Sequence, residues 1–598
     1  MTPPFLVFDF PQPLCFTEPV EVIIAETVAE VIPALLRVQA ASEAGFYAAG
    51  YVAYEAAPAF DSAFSVHPPL PGMPLLWFGL FVSSRDMPKA KQALCGTVED
   101  LQPDTDIREY QEAIVSIHQG IEAGDFYQVN HTFRLGAPWH EDGLGLFQRL
   151  TEISGAKYSA FLNLGRHQIL SASPELFFHR QGSLLSTRPM KGTRPRGRWC
   201  DEDEALAAEL ACAEKDRAEN LMIVDLLRND LGRIAVNGSV KVPKLFEIEQ
   251  YPTLWQMTST VEAEIPAAVG LVDIFTALFP CGSVTGAPKV SAMKRIAALE
   301  TSPRGPYCGA IGIVSPSGEA IFNVAIRTAV IDTETGRLQY GVGGGIVWDS
   351  TAEREYEEAL SKAAILAAET PKFELLETLC WENGEYLLRE RHIARLLLSA
   401  EYFRVPALRS AVEVALDDAA KPFGDAKMRV RLLVAPEGLP RTESCLLLPL
   451  PEHPLSVVLA STPVNKNDPF LCHKTTHRAV YEAHKQAHLE AFDVLLWNEE
   501  GELTEFTIGN LVLRNDEGLW TPPRACGLLG GVLRDALLSE GKLCERILRR
   551  EDLITATGIW LINSVRGFVP VQIDIQTGEA LLECSHTIGV PLAASPQQ

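Results

Sequence analysis

The chain has 598 residues, 47% of them hydrophobic, which is enough for more than one domain with its own core. A formal net charge of -25 argues against nucleic acid or an anionic membrane as the main partner, because either would favour a basic face. The longest apolar runs, such as residues 75–82, are too short to span a bilayer, and no basic stretch precedes an apolar one at the N-terminus. The twelve cysteines show neither Cys-x-x-Cys pairs nor disulfide-like spacing, so the sequence predicts a cytoplasmic protein with reduced thiols and no structural zinc.

Two α+β parts follow each other along the chain, with a boundary predicted near residue 370. In the first part, helical periodicity predicts a helix at 288–300 with Val290, Met293 and Ala297 on one face. A second helix is predicted at 352–368, and alternation predicts strands at 309–314 and 320–326. The run Glu-Thr-Pro-Lys at 369–372 interrupts the pattern before a new strand begins at Phe373. The second part is predicted to contain helices at 390–402 and 530–540 and strands at 427–433, 493–497 and 509–513.

Lys191 lies in a basic segment, Thr-Arg-Pro-Met-Lys-Gly-Thr-Arg-Pro-Arg-Gly at 187–197, whose composition predicts a turn. The glycine after it lets backbone N–H groups approach a ligand closely, Thr193 adds a hydroxyl donor, and the arginines supply a positive field. The pattern indicates an amine nucleophile beside an anion. A solvated basic loop has the same composition and remains the alternative on this segment alone.

Two pairs of acidic residues are spaced to share helix faces. Asp216 and Glu219 are three residues apart in one predicted helix, as are Glu355 and Glu358 in another. Turned toward each other, these faces would offer oxygen ligands to a hard cation such as Mg²⁺. Ordinary solvated acidic helices are the alternative. Lys362 extends the second face and suits a carboxylate ligand or a counter-charge.

Three further segments suggest contacts with an anion. Residues 279–289 lead into a helix with Pro288 near its first position, which exposes backbone N–H groups, but they lack the spacing of a nucleotide phosphate loop. The glycine-dense run at 340–346 is predicted as a turn, either hugging a ligand or simply tight. Arg327 lies inside an apolar strand pattern, where a buried anionic ligand would offset the cost of its charge.

Together these segments resemble the chorismate-utilising enzymes, which include anthranilate, isochorismate and salicylate synthases and aminodeoxychorismate synthase component I. The resemblance covers residues 1–368 and implies a large α+β sandwich with the site in its central cleft. It rests on Ser-Pro-Glu at 173–175, Pro-Met-Lys-Gly-Thr-Arg-Pro-Arg-Gly at 189–197, the helix from Glu214 to Gly232, Gly-Ser-Val-Thr-Gly-Ala-Pro-Lys at 282–289, Gly-Ala-Ile-Gly at 309–312, Ile-Arg-Thr at 326–328 and Gly-Gly-Gly-Ile-Val at 343–347.

The resemblance also implies roles for individual residues. Glu175 corresponds to the general acid that protonates the leaving C4 hydroxyl, which requires a raised pKa. The implied Mg²⁺ shell, which holds the substrate carboxylate, consists of Asp216, Glu219, Glu355 and Glu358. Several relatives have Glu at the position of Asp216, so the shorter Asp216 side chain is expected to contact Mg²⁺ either directly or through a water molecule. The residues implied to line the carboxylate sites are Thr193, Tyr307, Arg327, Gly341, Gly343 and Lys362.

Two positions distinguish branches of this family. Isochorismate and salicylate synthases have a lysine base where this chain has Gln128, so water addition at C2 loses its base. Lys191 stands where anthranilate synthases typically have alanine, whereas aminodeoxychorismate synthases resemble this chain. The resemblance then implies that Lys191 attacks C2 while Glu175 protonates the departing hydroxyl, and that ammonia at C4 expels the lysine.

The second part carries groups that suit pyridoxal phosphate (PLP). Lys474 can form a Schiff base, Glu505 can hold a protonated pyridine nitrogen, and the glycine-rich run 526–534 leads into a helix that can bind phosphate. Residues 373–590 resemble the fold-type IV PLP enzymes, which include aminotransferases and 4-amino-4-deoxychorismate lyase. The resemblance implies phosphate contacts from Arg395, the amides of Val532 and Leu533, and a further one from Asn563 and Ser564.

The two resemblances imply a bifunctional enzyme that forms 4-aminobenzoate for folate, with domains at 1–368 and 373–598, Mg²⁺ and PLP as cofactors, and chorismate as substrate. Lyase and aminotransferase are not separated by the second motifs alone, and the fusion favours the lyase. No glutamine amidotransferase region is recognisable, so a separate subunit is expected to supply ammonia. Fold-type IV relatives are commonly dimers, so the resemblance also implies a possible homodimer through the PLP domain. One rival is anthranilate synthase component I fused to an aminotransferase, and another is a regulatory or scaffolding protein without turnover.

Overall fold

A computed structural model describes residues 3–86, 96–368, 371–451 and 454–574. These residues form two compact units. The first comprises Met1–Arg196 and Leu206–Thr370, and the second comprises Gly197–Ala205 and Pro371–Gln598. Residues 369–370 of the predicted linker and residues 575–598 of the second predicted domain lie outside the described part.

The first unit is built on two antiparallel sheets. Its strands are β1 (Phe5–Asp9), β2 (Pro13–Thr17), β3 (Glu21–Ala25), β4 (Tyr47–Val52), β5 (Leu76–Phe81), β6 (Gln102–Pro103), β7 (Gln128–Pro138), β8 (Tyr158–Asn163), β9 (His167–Ser173), β10 (Leu176–Gln181), β11 (Leu184–Arg188), β12 (Met190–Pro195), β13 (Lys241–Gln250), β14 (Leu254–Glu264), β15 (Gly286–Ala287), β16 (Ala310–Val314), β17 (Ala320–Val324), β18 (Thr328–Asp332) and β19 (Arg337–Ile346). One sheet has the order β15-β7-β19-β18-β9-β8-β1-β2, with β6 on β7, and the other has the order β12-β14-β11-β10-β17-β16-β4-β5-β3, with β13 on β14.

Helices pack on these sheets through apolar faces. They are α1 (Val28–Glu43), α2 (Ile107–Glu122), α3 (Gly143–Ser154), α5 (Glu214–Gly232), α6 (Leu271–Leu278), α7 (Lys289–Leu299) and α8 (Ala352–Ser361). Helix α4 (Cys200–Cys212) begins in the segment Gly197–Ala205 of the second unit and ends in the first unit. Helix α2 shows the local logic: Asp106 caps it by accepting hydrogen bonds from the N–H groups of Arg108 and Glu109, and residues at helical spacing such as Tyr110, Ile114 and Ile117 are buried.

The structure refines the predicted elements of the first unit. The helix predicted at 288–300 is confirmed as α7, but its buried residues are Ala292, Met293 and Ile296, and Val290 is 40% exposed. The prediction that Val290 lies on the buried face of this helix was therefore wrong. It was based on the spacing of Val290, Met293 and Ala297 and did not take the neighbouring Ala292 and Ile296 into account. The helix predicted at 352–368 ends at Ser361 and is followed by a 3₁₀ turn at Ala364–Leu366.

The second unit contains a four-stranded sheet and a larger, partly closed sheet. Its strands are β20 (Leu375–Glu382), β21 (Glu385–Tyr386), β22 (Met428–Val434), β23 (Pro440–Leu446), β24 (Leu455–Leu459), β25 (Asp493–Trp497), β26 (Leu503–Phe506), β27 (Gly509–Asn515), β28 (Gly518–Thr521), β29 (Cys544–Glu545), β30 (Gly558–Asn563) and β31 (Gly567–Asp574). Its helices are α9 (Arg389–Phe403), α10 (Arg409–Ala420), α11 (Pro469–Cys472), α12 (Ala479–Gln486), α13 (Val532–Ser539) and α14 (Arg550–Thr555).

The larger sheet has the order β26-β25-β24-β31-β30-β27-β28-β29, and an additional pairing of β26 with β27 closes six of its strands into a barrel-like ring. The other sheet has the order β21-β20-β22-β23, and α9 and α10 share its apolar core. The α+β class is confirmed in both units. No helix in the described ranges is long and apolar enough to cross a membrane, and the cysteines of those ranges are free thiols.

Candidate active sites

Glycines near the carboxyl end of β19 allow predicted site residues to approach its backbone. A Cβ atom placed on Gly345 would lie 2.0 Å from Nε2 of Gln128 and 2.8 Å from Nζ of Lys191. A Cβ atom on Gly341 would lie 2.4 Å from the ring of Tyr307. Side chains at these glycines are therefore excluded, and Gln128, Lys191 and Tyr307 pack directly against the strand.

The run at 340–346 was predicted as a turn, and this was wrong. It is the second half of β19, which pairs with β7 from Arg337 opposite Pro138 to Ile346 opposite Val129. Glycine is required here because neighbouring side chains cover the strand rather than because the chain reverses. Gly343 alone in this run has a positive φ, 158°, a conformation that other residues rarely adopt.

Helix α8 adds charged groups at the same end of β19. Lys362, which follows α8, donates from Nζ to the carbonyl of Gly343 at 2.8 Å and pairs with Glu358 at 2.9 Å. A Cβ atom on Gly344 would lie 3.3 Å from Oε2 of Glu355. Glu355 and Lys362 therefore lie beside Gly343 and Gly344, which directly precede the glycine that Lys191 and Gln128 contact.

Lys191 lies on a bulged strand and not on the predicted turn. Strand β12 pairs with β14, but the register shifts between Met190 and Thr193, and Gly192 has φ of 89°. A Cβ atom on Gly192 would lie 2.9 Å from Cβ of Asp216, so glycine allows α5 to approach the bulge. The bulge explains the turn-like composition, because a strand that bends beside a helix also requires glycine.

Glu175 is a buried carboxyl between β9 and β10, and its side chain is only 3% exposed. Burial raises its pKa to about 7, while a hydrogen bond with Ser283 and the positive charge of Lys191 act in the opposite direction. Its Oε1 has no hydrogen-bond partner within the described ranges. A carboxyl with this pKa can donate a proton near neutral pH.

Helix α5 places the second pair of acids beside Lys191. Burial raises the pKa of Glu219, and the negative charges of Asp216 and Glu355 act in the same direction, against Lys191 and Lys215. Burial also opposes ionisation of Glu358, but the charges of Lys362, Lys191 and Lys215 outweigh it and hold its pKa below the usual value. Both helices therefore contribute carboxylates that interact with Lys191.

Arg327 lies between β17 and β18 with φ of 49°, which turns its backbone out of the strand pattern that the sequence suggested. Burial lowers the pKa of its guanidinium, and no hydrogen bond or ion pair of this side chain occurs among the residues the structure describes. A buried cation with free donors suits an anionic ligand.

The two remaining predicted contact residues of this unit differ in exposure: Tyr307 is buried and Thr193 is exposed. Tyr307 is buried at 6% exposure under the guanidinium of Arg134, which lies 4.9 Å from its ring centre. Thr193 is exposed and donates to Oε1 of Gln256 at 3.2 Å, while Gln256 donates to the carbonyl of Gly192 at 2.7 Å. In this arrangement the Thr193 hydroxyl is used to hold the bulge beside Lys191.

Lys474 is the candidate Schiff-base lysine of the second unit. Its backbone carbonyl accepts a hydrogen bond from the N–H of Leu376 at 3.0 Å, which ties it to β20. Burial lowers the pKa of its amine to about 8, and the positive charges of Arg395 and Arg478 act in the same direction. An amine with this pKa is partly neutral near physiological pH and can form a Schiff base.

Glu505 lies on β26 and is 4% exposed. The hydroxyl of Tyr481 and the N–H of Leu529 donate to its Oε1 at 2.7 and 3.1 Å, and Asn510 donates to its Oε2 at 3.1 Å. Burial raises its pKa to about 7 despite these hydrogen bonds and the charge of Lys474. The carboxyl is thus fixed in orientation and can share a proton with a basic ring nitrogen.

Arg395, on α9, lies close to the amide end of α13. Its Nε and Nη2 donate to Glu377 at 2.8 and 2.7 Å, and its Nη1 donates to the carbonyl of Gly530 at 2.9 Å. His392 also bonds Glu377, at 2.7 Å. The guanidinium is therefore oriented by a buried carboxylate, whose pKa the cations lower to about 2 against burial.

The predicted phosphate amides open α13, since Val532 and Leu533 are its first residues and Gly531 caps it. Backbone N–H groups at this position have no partner within the helix and can bind phosphate. Ser564 lies in the turn after β30, and no hydrogen bond within the described ranges joins it to Arg395 or Val532. The structure thus brings Arg395 close to the start of α13.

Comparison with known proteins matches each of two stretches of the chain to a family. Residues 16–368 match the family described as chorismate binding enzyme, which is more than half of the chain. The chain belongs to the chorismate-binding enzymes. Residues 374–573 match the family described as amino-transferase class IV, which implies a PLP cofactor for the second domain.

Individual relatives match part of this chorismate-binding enzyme. Aminodeoxychorismate synthase component 1 of Salmonella typhimurium (strain LT2) is 45% identical over 254 residues, which are 42% of this chain and 56% of the relative. Anthranilate synthase component 1 1 of Haloarcula marismortui is 40% identical over 257 residues, 43% of this chain and 52% of the relative. The chain therefore spans little more than half the length of these relatives. The structure of anthranilate synthase component I from Streptococcus pneumoniae has a TM-score of 0.51 at 26% identity and covers 62% of this chain and 91% of that one.

The four predicted metal ligands of the enzyme fit Mg²⁺ in chemistry but are not assembled around one point. In the part of the chain that the structure covers, no three His, Cys, Asp or Glu side chains are placed to hold a metal ion together. Arg194 donates to Asp216 at 3.0 Å, so that carboxylate already has a cationic partner. Glu219, Glu355 and Glu358 remain as oxygen donors, and a bound cation would offset the burial and the neighbouring negative charges that raise the pKa of Glu219.

The second site fits PLP. Lys474 supplies an amine with a lowered pKa, Glu505 supplies an oriented buried carboxyl, and Arg395 lies beside the N-terminus of α13. These are the three functions that the cofactor's aldehyde, ring nitrogen and phosphate require.

Several residues that shape the sites were not found from the sequence. Ser283 bonds Glu175, and Gln256 holds the bulge beside Lys191. Glu377 orients Arg395, while Tyr481 and Asn510 orient Glu505. Only Ser283 had a signal, as the hydroxyl of the motif at 282–289. Gln256, Glu377 and Tyr481 are 18 or more residues from their partners, and Asn510, although only five residues from Glu505, is of an ordinary residue type.

Proposed function

We propose that this enzyme converts chorismate into 4-aminobenzoate in two steps. The first domain would replace the C4 hydroxyl of chorismate with an amino group derived from ammonia, releasing water. The second domain would eliminate pyruvate from the resulting 4-amino-4-deoxychorismate. The observation that supports this most directly is the meeting of Lys191 and Gln128 at Gly345, with Glu175 in electrostatic contact with Lys191.

In the first step, Lys191 attacks C2 through its neutral amine while Glu175 gives its proton to the C4 hydroxyl, which leaves as water. Ammonia then bonds to C4, and Lys191 leaves C2 with its electron pair, so that the ring double bonds return to their original places. A glutamine amide is not basic, so Gln128 cannot activate water for attack at C2. The buried Oε1 of Gln128 lacks a partner within the described ranges and can instead accept from the amine of Lys191.

The carboxylates of chorismate need cationic partners in this site. Arg327, whose side chain has no partner within the described ranges, is proposed to bind one of them, with further contacts from Tyr307, Lys362 and the backbone of Gly341 and Gly343. Mg²⁺ bound by Glu219, Glu355 and Glu358, with Asp216 as a further donor, would supply positive charge for the other carboxylate. The exposed hydroxyl of Thr193 completes the proposed contacts.

In the second step, PLP would act as an electron sink for the bonds at C4 of the substrate. Lys474 would hold the cofactor and, as a neutral amine, would remove the C4 proton of the substrate. Departure of enolpyruvate from C3 with its bonding electron pair would then make the ring aromatic. Glu505 would keep the ring nitrogen protonated, and Arg395 with the amides of Val532 and Leu533 would bind the phosphate.

The nitrogen source follows from the relatives' names. The Salmonella protein is called component 1, which supports a second component that supplies ammonia from glutamine. We therefore expect the purified chain to use ammonium salts but not glutamine until a glutaminase subunit is added.

Product analysis tests the proposed function. The purified chain with chorismate, ammonium, Mg²⁺ and PLP is expected to form 4-aminobenzoate and pyruvate in equal amounts. Anthranilate as the main product would contradict the assignment and favour the anthranilate synthase alternative, whose relative is 40% identical. An unchanged chorismate pool would contradict catalysis by the first domain altogether.

A further inference from the structure

Residues Gly197–Ala205 form part of the second unit, although they lie within the sequence range 16–368 that matches the chorismate-binding family. The segment is internally fixed. The N–H of Gly197 donates to Asp203 at 2.7 Å, and the N–H of Arg198 donates to Glu202 at 2.6 Å. A Cβ atom on Gly197 would lie 2.2 Å from the backbone nitrogen of Asp203, so only glycine allows this folding.

Polar contacts anchor the segment to the rest of the second unit. The hydroxyl of Tyr402 donates to the carbonyl of Gly197 at 2.8 Å. The guanidinium of Arg198 donates to the carbonyls of Ala525 and Lys466 at 2.9 and 3.3 Å. The thiol of Cys200 donates to the carbonyl of Leu398 at 3.3 Å. These anchors reach both α9 and the loop before α13.

Trp199 is the centre of the segment. Two guanidinium groups lie over its indole ring, that of Arg198 at 4.7 Å and that of Arg524 at 4.9 Å from the ring centre. Cation–π contacts of this kind are favourable at partly buried sites. The ring also lines a cavity of about 230 Å³ whose other walls include Arg391, Arg395, His473, Arg524 and Asp535.

Tyr402, which contacts the segment, also connects it to Lys474 and Arg395, the two proposed PLP-binding residues. The ring of Tyr402 stacks on His473 with centres 4.3 Å apart, and His473 directly precedes Lys474. Ser399 bonds the ring of His473 at 2.9 Å. Arg395, Ser399 and Tyr402 all lie on α9, so the helix that carries Arg395 also supports the residue before Lys474.

We infer that Gly197–Ala205 is a positioning segment of the second site: Trp199 and the Gly197 carbonyl hold Arg524, Tyr402 and α9 so that Arg395 and Lys474 are correctly placed for PLP. The inference rests on the proposed function, because it needs PLP to bind at Lys474. Trp199 acts through its neighbours and is a positioning residue. It follows that the second site depends on a segment encoded within the first family domain.

PLP titration of the full-length apoprotein tests this inference. Trp199→Ala is expected to raise the dissociation constant of PLP about tenfold, since it removes the ring that the guanidinium groups of Arg198 and Arg524 contact. Trp199→Phe keeps an aromatic face and is expected to restore the affinity to within about threefold of wild type. Trp520→Ala is the matched control, because it removes another indole ring under a guanidinium, that of Arg546, in the same unit.

A second readout needs no cofactor. The pKa of Lys474, about 8, depends on burial and on Arg395 and Arg478, with Glu377 and Glu505 opposing them. If the segment holds this arrangement, the pH midpoint for chemical modification of the Lys474 amine rises toward the ordinary value of 10.5 in Trp199→Ala. General loss of stability without movement of the site would leave this midpoint unchanged.

The outcomes separate the inference from the proposed function. Lys474→Ala is expected to abolish the covalent PLP signal, and retention of that signal would contradict PLP chemistry at Lys474. If Lys474→Ala behaves as expected while Trp199→Ala binds PLP like wild type with an unchanged Lys474 midpoint, the positioning role of the segment is refuted. Equal weakening by Trp199→Ala, Trp199→Phe and Trp520→Ala would also refute it.

Discussion

Replacing Glu175 with glutamine is expected to stabilise the folded chain above neutral pH while removing amination. In the wild-type chain, burial raises the pKa of Glu175 from 4.5 to about 7, so between these values the folded chain keeps a proton that the unfolded chain releases. Stability is therefore lost as the pH rises through this window. Glutamine cannot ionise, so the variant does not suffer this loss.

The size of the effect follows from the two pKa values. At about 1.4 kcal/mol per pKa unit, the Glu175→Gln variant is expected to gain up to about 3 kcal/mol in unfolding free energy above pH 7, and almost nothing below pH 4.5. Amination is expected to fall about 100-fold or more, because glutamine cannot donate the proton that the leaving hydroxyl needs.

Urea unfolding of both proteins near pH 5 and pH 8, together with ammonium-dependent loss of chorismate, measures both effects. Glu55→Gln is a matched control, since burial also raises the pKa of Glu55 to about 7 but its carboxyl bonds the N–H groups of Arg304 and Gly305. This control is expected to keep amination. A Glu175→Gln protein that is no more stable at pH 8 than wild type, or that aminates chorismate normally, would refute the reasoning.

Three further predictions concern both sites. Gly345→Ala places a Cβ atom 2.0 Å from Gln128 and 2.8 Å from Lys191, so the Gln128 amide must move by about 1 Å and amination is expected to slow about 100-fold. Gly232→Ala is the control, because a Cβ atom there meets nothing within 4 Å, and it is expected to aminate chorismate at the wild-type rate. Equal amination rates of the two variants would contradict the packing of Gln128 and Lys191 on Gly345. Arg327→Gln is expected to raise KM for chorismate about tenfold or more through loss of a charged contact, and an unchanged KM would exclude Arg327 from the carboxylate site. In the apoprotein, the Lys474 amine is expected to react half-maximally near pH 8, measured by mass spectrometry of its peptide, and a midpoint near 10.5 would contradict its burial among cations.

Much of the fold was predictable because its signals are local. Helix α9 and strand β25 agree with the periodicity of residues 390–402 and 493–497. The glycine run on β19 and the segment around Lys191 were misinterpreted as turns, because glycine composition does not distinguish a reversal from a strand that other side chains must approach.

Some site residues could be predicted from local motifs, and their supporting partners could not. Motifs identified Lys191, Glu175, Lys474 and Glu505, which the structure places in buried or charged surroundings. Their supporting partners depend on pairing between distant segments, as Glu377 with Arg395 shows. The assignment of Gly197–Ala205 to the second unit could not be predicted, because its contacts reach residues more than 190 positions further along the chain.

The most direct test of the two-step account is the product that Lys474→Ala forms from chorismate, ammonium and Mg²⁺. The account predicts that this variant consumes chorismate at the wild-type rate and accumulates 4-amino-4-deoxychorismate, without pyruvate or 4-aminobenzoate. Formation of 4-aminobenzoate by this variant, or accumulation of anthranilate, would contradict it.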